Sequence, residues 1–205
     1  MRKTLTIVLL AVMVITGAFS SPYYDAGSQI FTINVGASVP FFTYNGKDKE
    51  AVFWPGTGDE STPEFENMNQ LVGGIGSIAY QVFLNPYWAI GGELGYQFNY
   101  VAGTDVAASV PINMKVSYFP VQTGKFDLPI SLGIGLNYIS FRDSSKLTFS
   151  ATVELGGMYY ITDEWGIGIH AGLYFIPEFY LTDGRSQYSG IETYIPIRLS
   201  VAYRH

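Results

Sequence analysis

The chain has 205 residues and no cysteine, so it is long enough for one domain and no disulfide holds it together. Charged residues make up only 14% against 16% aromatics, where a soluble domain usually carries about 25% charged residues. Past residue 20, nine Lys and Arg stand against 17 Asp and Glu, a net charge near −8, which argues against nucleic acid as a partner because that needs a basic surface.

Met1–Ser20 reads as a secretory signal: Arg2 and Lys3 give a positive start, Leu5–Ile15 an apolar stretch, and Ala18-Phe19-Ser20 the small residues for cleavage before Ser21. The apolar run falls short of the roughly 20 residues a bilayer helix needs. The expected organisation is therefore a signal peptide over 1–20 and one domain over 21–205. No later apolar run is long enough for a transmembrane helix.

The rest of the chain alternates. Phe31, Ile33, Val35, Ala37 and Val39 oppose Thr32, Asn34, Gly36 and Ser38. A second, less regular series is Val72, Ile78, Tyr80, Val82 and Leu84. The third is the sharpest in contrast: Trp88, Ile90, Leu94, Tyr96, Phe98 and Tyr100 share one face, with Gly92 the only gap, while Ala89, Gly91, Glu93, Gly95, Gln97 and Asn99 share the other. Ile112, Met114, Val116 and Tyr118 follow, then Phe126 through Tyr138, Leu147 through Tyr159, Trp165 through Phe175, and Ile191 through Tyr203. A period of two means a strand with two opposed faces. The polar faces are dominated by Gly, Ala, Ser and amides rather than by Lys and Glu, which suits the crowded interior of a narrow barrel whose bulky face meets lipid. Eight such strands are the smallest even number known for a barrel of this kind.

The connections alternate as well. Asn85-Pro86-Tyr87, Pro120–Lys125 and Thr162-Asp163-Glu164 carry turn residues. Thr43–Asn69 and Pro177–Ser189 are long and polar, and Val101–Ala107 and Ser140–Lys146 are short. Both chain ends then lie on the turn side. Two of the strands that follow tight turns open with Trp-small-Ile-Gly, at Trp88 and Trp165, and both Trp rings, like Tyr203 on the last strand, fall where an amphipathic ring favours the membrane interface.

Signal peptide, eight alternating strands, the two Trp-small-Ile-Gly starts and a last strand carrying an aromatic near its end together resemble the small outer-membrane β-barrels. That superfamily includes the OmpW-like, OmpX-like and opacity-type proteins, and the OmpW-like proteins are the most similar in size and strand layout. The resemblance covers the whole mature chain. It implies an all-β, eight-stranded antiparallel up-and-down transmembrane barrel in the outer membrane of a diderm envelope, membrane lipids and the barrel-assembly machinery as partners, and a conduit for small or apolar solutes. The chain departs from the pattern at its end, where Arg204 and His205 follow Tyr203 in place of a terminal Phe or Trp.

Candidate chemistry lies on the inward faces: Glu93, Lys115, Asp127, Glu154, His170, Glu192, Arg198 and Arg204. Charges inside a narrow barrel must pair or stay wet. One reading is an ion-pair network in which Lys115 and Arg198 neutralise Glu93, Glu154 and Glu192; the other is a polar conduit or small-ligand pocket. The third reading, a lipid-modifying outer-membrane enzyme, would need a Ser beside a His oriented by an acid, and only His170 and His205 exist, so no catalytic residue is assigned. No cofactor is implied, and without Cys or a paired-His motif no metal site is implied either. The loop 43–69 carries Tyr44, Phe53, Trp54 and Phe65 among its acids. Those rings suit contact with a surface ligand, which makes recognition or adhesion the alternative function, unless they fold down over the barrel mouth.

Overall fold

The computed structural model describes residues 23–45, 50–53, 70–101, 106–141, 144–178 and 190–205. The segment 1–20 expected to be a signal, Trp54 and Phe65 lie outside the described residues. Nine strands form one antiparallel sheet: β1 Gln29–Asn45, β2 Glu50–Phe53, β3 Gly73–Asn85, β4 Trp88–Tyr100, β5 Val106–Gln122, β6 Phe126–Phe141, β7 Ser144–Tyr160, β8 Trp165–Glu178 and β9 Gly190–Arg204. Each barrel strand pairs with the next in sequence, and β1 also pairs along its length with β9, from Ile30↔Arg204 to Asn45↔Gly190. The sheet therefore closes into an eight-stranded up-and-down barrel, as the alternation predicts. Closure pairs the backbone N–H and C=O groups of what would otherwise be two open edges, a requirement in hydrocarbon.

β2 is the exception to the ring. It folds back on the top of β1, pairing Asn45↔Glu50 to Phe42↔Phe53. The expected loop over 43–69 therefore begins later than its polarity suggests, with β1 running to Asn45 and a hairpin arm inside it. The short connections shrink in the same way: β5 starts at Val106, β6 runs to Phe141 and β7 starts at Ser144. Alternation marks only the part of a strand that meets lipid, whereas ladder hydrogen bonds continue past it into polar sequence.

The two faces are as the pattern requires. Outward residues such as Ile134 (66% exposed) and Leu199 (65%) have no protein layer over them, while inward Asp127 and Asn137 are fully buried. Aliphatic residues fill the middle of the outer face. Rings gather toward its ends, with Trp88 on Tyr118 at 4.8 Å and Trp165 on Tyr203 at 5.0 Å at the turn end, and Tyr96, Phe98 and Tyr100 toward the loop end. This is the banding of a bilayer-spanning barrel. Gly92, the gap in the outer face of β4, stands opposite Tyr80.

Inward glycines allow the tight curvature. A Cβ on Gly91 would lie 1.8 Å from the carbonyl oxygen of Tyr80 on β3, so only glycine fits where the two strands coil together. At the turn between β5 and β6, Gly124 has φ +76°, a conformation that favours glycine.

Candidate functional site

The lumen is filled in layers. In the central one, four buried charges meet from four strands: Glu93 (β4), Lys115 (β5), Glu154 (β7) and Arg198 (β9). Lys115 Nζ lies 2.8 Å from Glu93 Oε2 and 2.7 Å from Glu154 Oε2. Arg198 spans the same two acids, with Nη1 2.5 Å from Glu93 Oε1 and Nη2 on Glu154 Oε1. Ser77 donates to Glu93 (2.6 Å) and accepts from Arg198 (2.9 Å) and from Asn34 Nδ2 (2.9 Å). The register explains the meeting: Glu93 faces Asn113 two residues from Lys115, and Glu154 and Arg198 stand beside Gly172 and His170 on the strand between them. Two acids and two bases sum to zero, so each ion's desolvation is offset by two opposite charges at contact distance.

Toward the turn end lies an aromatic layer that alternation alone conceals. Phe83, Phe119 and Tyr160 point inward at strand ends, and Tyr24, from the segment before β1, tucks under the barrel and stacks on Phe83 at 4.0 Å. Phe83 and Phe119 meet at 4.9 Å. Gln122 Oε1 accepts the backbone N–H of Tyr23 (3.1 Å) and pins that segment. Tyr24 donates to Asp127, and its hydroxyl lies 3.2 Å from that of Tyr160. Burial, reinforced by Tyr160 and Asp127, pushes the Tyr24 phenol well above its ordinary pKa, so it stays a donor.

Arg204 completes this layer. Its guanidinium lies 3.5 Å from the Tyr160 ring centroid and 3.8 Å from that of Tyr23, 3.7 Å from Asp127 Oδ2, and Nε donates to the Asp163 carbonyl at 2.7 Å. The residue that departs from the family ending thus fastens the last strand to the plug. Asp127 belongs here, not to the central quartet.

Toward the loop end, Tyr174, Ile176 and Tyr194 pack with Ile139, and Ser38 donates to Asn99 at 3.0 Å. Glu192 is at this level. It accepts from Gln70 Nε2 at 3.0 Å and from the Tyr194 hydroxyl at 2.6 Å. The expected pairing of Glu192 with Lys115 and Arg198 is therefore corrected: six residues along one strand separate it from Arg198, roughly 20 Å at 3.4 Å per residue. Among the described residues, cavities of about 20 Å³ each lie on either side of the central layer, room for a single water.

His170 lies over Gly156 with Nε2 3.3 Å from Met158 Sδ, its sole hydrogen-bond-range partner among the described residues. Trp88, Trp165 and Tyr203 are outward and at the turn end. Tyr44 is half-buried on β1. Phe53 falls on β2, and its side chain, like Trp54 and Phe65, is outside the described residues.

The sequence signal for the aromatic layer was present in Phe83, Phe119 and Tyr160, each a large ring on a face of small residues and next to a tight turn. Tyr24 gave none, since its role arises from pairing across the closed ring.

A relative in Treponema pallidum (strain Nichols), an uncharacterized protein, is 26% identical over 142 residues, which is 69% of this chain and 62% of the relative's length. Among solved structures, Neisserial surface protein A is similar at 12% identity with a TM-score of 0.56, covering 87% of this chain and 97% of its own. The outer membrane protein OprG from Pseudomonas aeruginosa is 13% identical, with a TM-score of 0.48, covering 91% and 99%. A protein-family model matches residues 14–203. The chain belongs to the family of that model, and its fold is that of the small eight-stranded outer-membrane β-barrels.

Proposed function

We propose that this is a non-enzymatic integral protein of the outer membrane of a diderm cell, exported by a cleaved signal peptide, with its turn end periplasmic, that acts as a closed barrel. It supports the envelope and holds its loop end at the cell surface. The observation that carries this reading is the stack of layers across the lumen. An aromatic plug, a neutral quartet of charges and a second ring-rich layer stand in series, and the cavities between them are about 20 Å³ each. A conduit for small or apolar solutes along the axis would have to break the buried ion pairs, at several kcal/mol each. Among the described residues, the His170 that a catalytic reading would need lies against the Met158 thioether.

Surface recognition is the second reading. It draws on the way β1 and β9 stay paired to Asn45↔Gly190 while β2 adds a hairpin arm at the same end. This reading is supported by Tyr44, half-buried near the loop end of β1, and by the backbone of Phe53 on the same arm. Planar-bilayer recording of the purified protein tests the closed-barrel reading: a silent bilayer is expected, and steady single-channel conductance would overturn it. The barrel-assembly machinery is the expected partner on the assembly route, and depleting it while assaying for folded barrel tests this.

A further inference from the structure

The outer face of the barrel carries a concavity of its own. A groove of about 700 Å³ crosses the turn-side half of the outer face from β6 to β1, lined by Ile33, Phe126, Tyr159, Ile169 and Leu199 and floored in part by Gly157. Gly157 occupies an outward position where its neighbours on β7 are Leu155 and Tyr159. A Cβ there would meet only the Phe126 ring, at 3.8 Å, so this glycine answers to no steric demand of the barrel and leaves a dent in the belt.

We propose that this groove seats the acyl chains of one zwitterionic aminophospholipid from the turn-side leaflet. The groove belongs to the hydrocarbon-facing belt, so its occupant must be apolar. A second copy of the barrel fits poorly, because a two-fold interface would lay a concave patch against itself and leave a void, while a flexible chain follows the dent. The turns below the groove supply the headgroup contacts. Lys125, exposed beside Phe126, is fixed next to the end of β7 by its carbonyl, which accepts the Tyr160 N–H at 2.7 Å. Asp163 and Glu164, also exposed, lead into Trp165 two residues before the groove residue Ile167. The exposed cation and two exposed anions on these two turns match a phosphate joined to an ammonium better than a purely anionic headgroup.

The inference rests on the membrane-spanning fold. Its test is native mass spectrometry of the folded barrel released from micelles doped with equal phosphatidylethanolamine and phosphatidylglycerol. Wild type is expected to retain one phosphatidylethanolamine several-fold over phosphatidylglycerol. Gly157→Leu, which fills the dent without strain, is expected to lose retention of both lipids. Lys125→Gln with Glu164→Gln is expected to keep a lipid but lose the several-fold preference, retaining the two lipids equally. Equal retention of the two lipids by wild type, unchanged retention in Gly157→Leu, or a mass of two barrels in place of barrel plus lipid would each overturn it. A barrel that folds without any amphiphile would instead fail the membrane reading itself.

Discussion

Arg198→Met tests the central layer most sharply. Arg198 contacts Glu93, Glu154 and Ser77, and its loss takes the quartet from zero to −1 while leaving its volume nearly filled. Removing one partner of a buried ion pair costs about 3–5 kcal/mol. Lys115 remains 2.8 and 2.7 Å from the two carboxylates and keeps part of the attraction, so the lower end, about 3 kcal/mol, is expected. With a urea slope of about 1–3 kcal/mol/M, the unfolding midpoint in micelles falls by about 1–3 M. Restoring neutrality with Arg198→Met/Glu154→Gln should recover at least half of the loss, because the remaining Glu93–Lys115 pair is balanced. Tryptophan fluorescence across a urea series, checked by the migration of unheated samples on gels, gives both numbers. A single-variant cost under about 1 kcal/mol, the value of a solvated pair, or a double variant less stable than the single, would refute the claim that these four charges are a dry, neutral unit.

Tyr24→Ala removes a ring stacked in the turn-end plug and should cost about 3–5 kcal/mol, whereas Tyr24→Phe keeps the stack on Phe83 and loses the hydroxyl that meets Asp127, Tyr160 and Arg204, about 1–3 kcal/mol; the same urea series separates them. Gly91→Ala should block folding of the β3–β4 hairpin, since its Cβ would fall 1.8 Å from the Tyr80 carbonyl, while Gly92→Ala, whose nearest atom is 3.8 Å away, should fold like wild type; gel migration of unheated samples reads the difference. Replacing residues 46–69 with a short Gly/Ser linker spares the β1–β9 ladder up to Asn45, so the barrel should fold and stay silent in bilayers while any cell-surface or matrix binding is lost; unchanged binding would remove the recognition reading.

Much of this molecule is written in period two. The alternation from Trp88 to Tyr100 coincides with β4 at both ends, and Glu93, Lys115, Glu154 and Arg198 could be placed on inward faces from parity alone. Which charges meet depends on register, and that is set by turns and bulges far from the charges themselves. Glu192 shows the difference: parity put it inside with Arg198, but its height on β9 puts it with Gln70 and Tyr194. The bulge between Pro40 and Phe42, opposite Tyr194 and Thr193, shifts the faces further at that end. Arg204 looked like a defect in the terminal pattern because its partners, Tyr23, Tyr160 and Asp163, come from three distant segments.

The barrel's place in a membrane depends on what its bulky outer face touches. Analytical ultracentrifugation of the refolded mature chain, with and without detergent or lipid, addresses that directly. A single folded species in micelles and aggregation in plain buffer are predicted; a folded, monodisperse protein in buffer alone would contradict the barrel's place in a membrane.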